Sequence, residues 1–148
     1  MIVYLDASAL VKRYVAESGS SEVDELIAQA SVVGTAVISR AETAAALAKA
    51  VRMGVLTRGE AETALQVFYT QWTDLVRLQL TELILAQAGA LAWDYGLRAC
   101  DAVHLATARF WQSSLSEAVT LATFDLQLWE AGAAAGLVAW PQDLMASR

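Results

Sequence analysis

The sequence is poor in the residues that build disulfide frameworks and zinc sites. Its 148 residues include a single cysteine, Cys100, a single histidine, His104, and a single proline. One cysteine excludes an intramolecular disulfide, and one cysteine with one histidine cannot supply the four ligands of a structural zinc ion. We predict that Cys100 is a small core residue rather than a nucleophile, in a protein of the reducing cytosol.

Basic residues and long apolar runs are also scarce. Ten Lys and Arg against 16 Asp and Glu give a net charge of −6, which argues against non-specific nucleic-acid binding through a broad basic surface. The apolar stretch at residues 83–93 is too short to span a membrane, and the N-terminus lacks the basic region of a signal peptide. We therefore expect a soluble, cytoplasmic protein with no membrane association.

Apolar residues make up 57% of the chain, and their pattern alternates between strand and helix periods. The length favours one domain over residues 1–148. Strands are predicted at 2–5, 31–38, 75–80, 118–124 and 137–140. Helices are predicted from residue 7 and at 20–30, 39–53, 57–72, 81–95, 99–112 and 125–131, the last ended by Gly132. This order predicts a three-layer α/β/α sandwich around a mostly parallel sheet of four to five strands.

Four carboxylates fall where strands end or helices begin: Asp6, Glu42, Asp101 and Asp125. Each also has a structural interpretation. Asp6 and Asp125 suit helix N-caps, Ser39 with Glu42 has capping-box spacing, and Asp101 would complement a helix dipole. In a parallel sheet, however, ligands bind at the carboxyl ends of the strands, so all four are expected at one edge.

Carboxylates that share a cleft repel one another, by roughly 4 kcal/mol for a pair about 4 Å apart at an effective dielectric near 20. A hard divalent cation such as Mg²⁺ or Mn²⁺ prefers oxygen ligands and offsets that repulsion. One or two such ions would activate water and neutralise charge in phosphoryl chemistry. A P-loop is absent from the sequence, which disfavours nucleotide hydrolysis of that type.

Four segments together resemble PIN-domain ribonucleases, and among them the VapC toxins of toxin–antitoxin pairs. They are VYLDASALVKRY (3–14), SRAETAAAL (39–47), RACDAVHLATA (98–108) and ATFDLQL (122–128). The resemblance implies a PIN-like fold and cleavage of RNA with Mg²⁺ or Mn²⁺. It maps the family's catalytic and metal-binding carboxylates to Asp6, Glu42, Asp101 and Asp125. It also implies a cognate antitoxin, a homodimer and two matching interfaces.

Several further residues are candidates for supporting roles. By the same resemblance, Ser8 and Thr123 would hold a water, a phosphate or a carboxylate, or else cap helices. Arg40 and Arg98 lie near the proposed ligands and would contact RNA phosphates, unless they form salt bridges. His104 would shuttle a proton, although a packed and hydrogen-bonded histidine is the commoner case. Residues 55–72 are expected to pack between helices and to expose some apolar side chains at an interface.

Two other functions compete with a metal-dependent ribonuclease. The first is a PIN-like module that binds RNA or protein without cutting, which would have no use for converging charges. The second is a haloacid-dehalogenase-like phosphatase with Asp6 as the nucleophile. That chemistry prefers a second aspartate two positions later, where this chain has Ser8. Loss of metal binding on Asp6→Asn would separate the ribonuclease from the binding module.

Overall fold

The computed structural model describes residues 1–147 and contains a five-stranded sheet. The strands are β1 (Ile2–Leu5), β2 (Val32–Ala36), β3 (Val76–Leu78), β4 (Val119–Ala122) and β5 (Val138–Trp140). Their order across the sheet is β3-β2-β1-β4-β5, and every neighbouring pair is parallel. The predicted strands are therefore confirmed, and the sheet is parallel throughout the described residues.

Seven helices connect and cover the strands within residues 1–147. They are α1 (Ala7–Leu10), α2 (Ser20–Gln29), α3 (Ser39–Arg52), α4 (Arg58–Gln71), α5 (Glu82–Tyr95), α6 (Ala99–Leu115) and α7 (Leu126–Ala134). In the same part of the chain, no helix has the length and apolar character needed to cross a bilayer.

The core lies on both faces of the sheet, as the three-layer prediction requires. Along the central strand β1, Ile2 and Tyr4 join the apolar cluster that contains α5 and α6 residues, whereas Val3 and Leu5 join the cluster beneath α1, α2 and α4. All four side chains are buried because successive residues of a strand point to opposite faces and helices cover both. Asp6 follows directly after this buried strand.

Two predictions about helix ends differ from the structure: the end of α7 at Gly132 and the capping box at the start of α3. Helix α7 continues through Gly132 to Ala134 instead of stopping. Gly132 is buried against β4, where an added Cβ would lie 2.6 Å from Leu121 Cδ2, so the residue permits close helix–sheet packing rather than ending the helix. The Ser39–Glu42 capping box is also wrong, because Ser39 lies inside α3 and its Oγ pairs with Thr35 Oγ1 at 2.6 Å.

Other helix predictions hold more closely. The capping box of Thr57 and Glu60 at the start of α4 is confirmed, with both reciprocal hydrogen bonds present. Helix α6 runs three residues beyond its predicted end at 112, to Leu115. In the 55–72 segment, Phe68 and Trp72 are buried while Val55 and Val67 are exposed, so both predicted environments occur.

A close approach between β2 and α6 makes Gly34 sensitive to substitution. A Cβ at Gly34 would lie 2.7 Å from Cη2 of the buried Trp111. We expect Gly34→Ala to lower the free energy of unfolding by about 1–3 kcal/mol, because the indole must shift in a packed core. Gly89→Ala, on the exposed side of α5 with open space around it, is expected to raise it by about 0.5–1 kcal/mol. Urea titrations of both variants measure this, and equal stabilities would contradict the packing argument.

Candidate functional site

Three of the four predicted carboxylates follow strands at the carboxyl edge of the sheet. Strands β1 and β4 are adjacent and in register, with Leu5 opposite Ala122. The register continues one residue further, because the Asp6 N–H donates to the Ala122 carbonyl at 3.2 Å. Asp6 therefore lies beside the loop that carries Thr123 and Asp125. Glu42 lies in the first turn of α3, after β2, and Asp101 in the first turn of α6.

Asp6 is the most enclosed of these acids, with 3% of its surface exposed. Its Oδ1 accepts hydrogen bonds from the Ala9 N–H at 3.0 Å and from Ser8 Oγ at 2.7 Å, and its Oδ2 accepts from Thr123 Oγ1 at 2.7 Å. The N-cap interpretation of Asp6 is thus confirmed. Burial nevertheless raises the pKa of the Asp6 carboxyl above its usual value. The charge of His104 and the hydrogen bonds from Ser8, Thr123 and Ala9 oppose this shift but do not cancel it.

Two hydroxyl groups tie Asp6 to the loop after β4. Ser8 Oγ donates to Asp6 and accepts from the Phe124 N–H at 2.9 Å. Thr123 Oγ1 donates to Asp6 and accepts from the Asp125 N–H at 3.1 Å. Ser8 and Thr123 are predicted to hold a water, a phosphate or a carboxylate, or to cap helices. In the structure both hydroxyl groups hold a carboxylate, that of Asp6. The relative position of Asp6 and Asp125 is consequently held by hydrogen bonds from both chain segments.

Arg98 joins the other two aspartates of the site. Its Nε donates to Asp101 Oδ2 at 3.0 Å and one terminal nitrogen donates to Asp125 Oδ2 at 2.6 Å. Asp125 also caps α7 by accepting from the Leu128 N–H at 3.0 Å. Burial and the neighbouring Asp125 charge raise the pKa of Asp101 despite this guanidinium. Of the two roles predicted for Arg98, a contact to RNA phosphate or a salt bridge, the structure shows the salt bridge.

Glu42 is held by a buried polar chain that begins on β1. His104 Nε2 lies 2.6 Å from Glu42 Oε1, and His104 Nδ1 lies 2.8 Å from the Tyr4 hydroxyl. Burial lowers the pKa of His104, but the Glu42 hydrogen bond and the charges of Asp6, Glu42 and Asp101 outweigh it and raise the pKa overall. Sequence reasoning missed Tyr4. For His104 a signal exists: its three-residue spacing from Asp101 indicates that both side chains lie on one face of a helix.

Arg40 behaves differently from Arg98. Its guanidinium lies over the Tyr69 ring at 4.2 Å from the centroid, and the Trp72 ring is 5.9 Å away. Among the salt bridges within residues 1–147, none involves Arg40. Stacking fixes the plane of the guanidinium while its edge remains available to an anion.

The four acids fit a hard divalent cation in their chemistry but not yet in their arrangement. All donors are carboxylate oxygens, which Mg²⁺ and Mn²⁺ prefer. As the side chains stand in residues 1–147, no three His, Cys, Asp or Glu groups converge closely enough to hold an ion. The side chains of Arg98 and His104 occupy oxygens of Asp101, Asp125 and Glu42. Binding an ion therefore requires the Arg98 guanidinium to leave Asp101 and Asp125, whereas the His104 contact leaves one Glu42 oxygen available.

The prediction that Cys100 is a core residue is wrong, because Cys100 is exposed. It precedes Asp101 in the first turn of α6, and one residue corresponds to about 100° of helix rotation, so the two side chains point in different directions. Partial burial and the charges of Glu42 and Asp101 raise the pKa of the thiol. A raised pKa disfavours the reactive thiolate, and the prediction that Cys100 is not a nucleophile stays a prediction.

Fold and site together define an α/β protein with an acidic cluster at the carboxyl edge of a parallel sheet. Residues 3–133 match the PIN domain family. The chain is 37% identical over 107 residues to ribonuclease VapC45 of Mycobacterium tuberculosis, which covers 72% of this chain and 74% of that protein. The chain therefore belongs to the PIN-domain family.

Solved structures share the fold at lower sequence identity. The Mycobacterium tuberculosis toxin VapC20, described as cleaving the sarcin–ricin loop, matches with a TM-score of 0.65 at 18% identity, over 92% of this chain and 96% of that one. A toxin–antitoxin complex from Klebsiella pneumoniae matches with a TM-score of 0.60 at 17% identity, over 83% and 86%. These likenesses confirm the predicted three-layer fold with its parallel sheet.

Proposed function

We propose that this protein is a metal-dependent endoribonuclease that cleaves RNA phosphodiester bonds, and that it is the toxin of a VapBC-type toxin–antitoxin pair. Membership of the PIN-domain family and the 37% identity to a protein named as a ribonuclease support the reaction class. The observation that carries the proposal is Asp6, a buried carboxylate held by Ser8, Thr123 and Ala9. We further propose that residues 1–148 act as one cytoplasmic domain.

In this proposal Asp6, Glu42, Asp101 and Asp125 hold one or two Mg²⁺ or Mn²⁺ ions. A divalent ion held there would activate a water molecule and offset the negative charge of the phosphate. The chain itself orients the carboxylates before RNA arrives. Ser8 and Thr123 fix Asp6 against the β4–α7 loop, and the Leu128 N–H fixes one oxygen of Asp125. Such preorganisation avoids rearranging these two side chains during the reaction.

The two arginines have separate roles in this proposal. Arg98 neutralises Asp101 and Asp125 and would compete with an ion for their oxygens, whereas Arg40 would contact RNA phosphate from its aromatic stack. We expect Arg98→Ala to tighten Mn²⁺ binding roughly threefold to tenfold, because a competing charge is removed from an exposed position. Arg40→Ala is the matched control, with unchanged Mn²⁺ affinity and weaker RNA binding.

Calorimetric titration with Mn²⁺ and fluorescence anisotropy with labelled RNA provide the two readouts. Weaker Mn²⁺ binding by Arg98→Ala would show that Arg98 supports the ion site rather than competing for it. Unchanged RNA affinity of Arg40→Ala would remove the proposed phosphate contact.

Two apolar surfaces support the proposed protein partners. A groove of about 280 Å³ between α3 and α4 is lined mainly by apolar side chains, with Arg52, Arg58 and Glu62 also lining it, and we propose that it receives a largely apolar segment of the antitoxin. A basic antitoxin side chain would then complement the acidic site. On α5, Trp93 is 90% exposed and Leu83 is 61% exposed. We propose this face as the homodimer interface, since large exposed apolar side chains mark such contacts.

The test of function is cleavage of a mixed pool of structured RNAs by the purified protein. Parallel reactions contain Mg²⁺, Mn²⁺ or chelator. We expect discrete products that require a divalent ion. A folded protein that binds Mn²⁺ and RNA without cutting any member of the pool would instead favour the non-catalytic binding module.

A further inference from the structure

The polar chain Tyr4–His104–Glu42 stands apart from the other supports of the acidic cluster. Asp6 and Asp125 are aspartates with short side chains, each held by backbone N–H groups at a helix N-terminus. Glu42 has a longer side chain, and its recorded hydrogen bond is the one to His104. The orientation of the Glu42 carboxylate therefore depends on a histidine from a different helix.

His104 is in turn fixed almost completely. It is 1% exposed, and both ring nitrogens have partners, one in Glu42 and one in the fully buried Tyr4 hydroxyl. The Tyr4 ring also contacts the imidazole edge-on, with centroids 5.8 Å apart. Tyr4 lies in β1 two residues before Asp6, so the chain connects Glu42 to the strand that carries the most buried carboxylate.

The geometry leaves one Glu42 oxygen for another partner. His104 contacts Oε1, and the Glu42 side chain keeps 25% of its surface exposed. A hydrogen bond to a carboxylate limits its rotation, and a partner behind a metal ligand commonly affects metal affinity tenfold to a hundredfold. Any hydrogen-bond acceptor would satisfy a buried histidine. The acceptor that His104 has is Glu42, a partly exposed carboxylate of the acidic cluster.

We propose that His104, held by Tyr4, is a positioning residue that orients Glu42 for metal binding. This inference rests on the proposed function, because it gives Glu42 the role of an ion ligand. His104 acts through Glu42 and does not itself touch the ion or the RNA. The two nitrogen contacts then have different consequences. The Nε2 contact sets the Glu42 carboxylate, and the Nδ1 contact sets the imidazole.

The test is a double-mutant cycle in which Mn²⁺ binding by the whole protein is measured. Calorimetry and the electron paramagnetic resonance signal of free Mn²⁺ provide the two readouts. His104→Asn retains a polar atom near Tyr4 and loses the contact to Glu42, and we expect roughly tenfold to hundredfold weaker binding. His104→Gln places an amide near Glu42 and is expected to recover most of the affinity. In a Glu42→Gln background, His104→Asn is expected to cause less than about a twofold further change.

Unfolding by urea, measured in chelator, separates this role from a purely structural one. Equal effects of His104→Asn and His104→Gln on Mn²⁺ affinity, or additive effects of His104→Asn and Glu42→Gln, would overturn the inference. If His104→Asn does not fold, Tyr4→Phe and His104→Gln complete the cycle, with Tyr4→Phe expected to weaken binding only when Glu42 is present. If the wild type cleaves RNA but the effects of the two substitutions are additive, only this inference is overturned. If the wild type binds no Mn²⁺, the proposed function and the inference are overturned together.

Discussion

Replacing Asp101 with asparagine is expected to reduce RNA cleavage by about a hundredfold to a thousandfold while the protein remains folded. Asp101 lies in the first turn of α6, buried beside Asp125, and both carboxylates share the Arg98 guanidinium. Asparagine has nearly the same shape but lacks the negative charge that would hold a divalent ion, and it is this ion that would offset the charge of the phosphate. Initial rates of RNA cleavage at saturating Mg²⁺ measure the loss.

The matched control for this substitution is Asp94→Asn on α5. Asp94 is exposed at the edge of the cleft between α5 and α6, among Gln87, Leu91 and Arg109, and none of the four site carboxylates lines that cleft. We expect wild-type cleavage rates from it. An Asp101→Asn variant that cleaves RNA within about threefold of the wild-type rate would contradict the assignment of this carboxylate. The double variant Asp6→Asn/Asp101→Asn should give no metal-dependent products.

The second large effect concerns pH and stability. In chelator, the free energy of unfolding is expected to fall as the pH rises from about 5 to 8. The folded-state pKa values of Asp6, Asp101 and His104 are all raised, the first two by burial and the third by its carboxylate neighbours against the effect of burial. In this interval the native protein therefore binds more protons than the unfolded chain, and stability decreases with pH.

The sign holds for each group. The stabilisation from protonated His104 is complete below its unfolded pKa of about 6.5 and is lost as the pH rises through its raised folded pKa. The two aspartates are neutral at low pH and become costly buried charges as the pH rises through their folded pKa values. Glu60 has a lowered pKa from its capping-box bonds, so its contribution changes below about pH 4.5 and not in this interval.

Urea titrations followed by tryptophan fluorescence at pH 5, 6, 7 and 8 provide the measurement. Asp6→Asn in chelator is expected to be more stable than wild type at pH 8 and to show a shallower pH dependence. Mg²⁺ or Mn²⁺ is expected to reverse the trend, because protons and metal ions compete for the same oxygens. A wild-type stability that rises between pH 5 and 8 in chelator would show that these carboxyls are not strained by burial.

The sequence predicted the parts of the fold that depend on local pattern. Alternating apolar strands and capped helices are visible in the chain, and the parallel rule then places Asp6, Glu42 and Asp125 at one edge. Thr57 and Glu60 formed the predicted cap because both partners lie within one turn. The positions of the quartet at strand ends and helix starts suggested a metal site, and the family resemblance assigned the same four residues; their metal-binding role stays a prediction.

What the sequence did not reveal depends on contacts between distant segments. Ser39 has the spacing of a capping residue, but Thr35 at the end of β2 offers its hydroxyl a closer partner. Gly132 has the appearance of a helix stop, yet its missing side chain makes room for Leu121 on β4. Tyr4 looks like an ordinary core aromatic, and only the packing of α6 over β1 brings His104 to its hydroxyl. Such choices are decided by tertiary neighbours, which local pattern does not contain.

The hydrogen bond between Asp6 and Thr123 joins positions 117 residues apart in the chain. During synthesis on a ribosome, β1 emerges early, but its neighbour β4 and the loop with Asp125 emerge more than a hundred residues later. Until then Asp6 lacks the Thr123 hydroxyl, and the strand before it lacks one of its two flanking strands. A growing chain therefore cannot assemble the acidic cluster. Biosynthesis itself delays assembly of the site until most of the polypeptide exists.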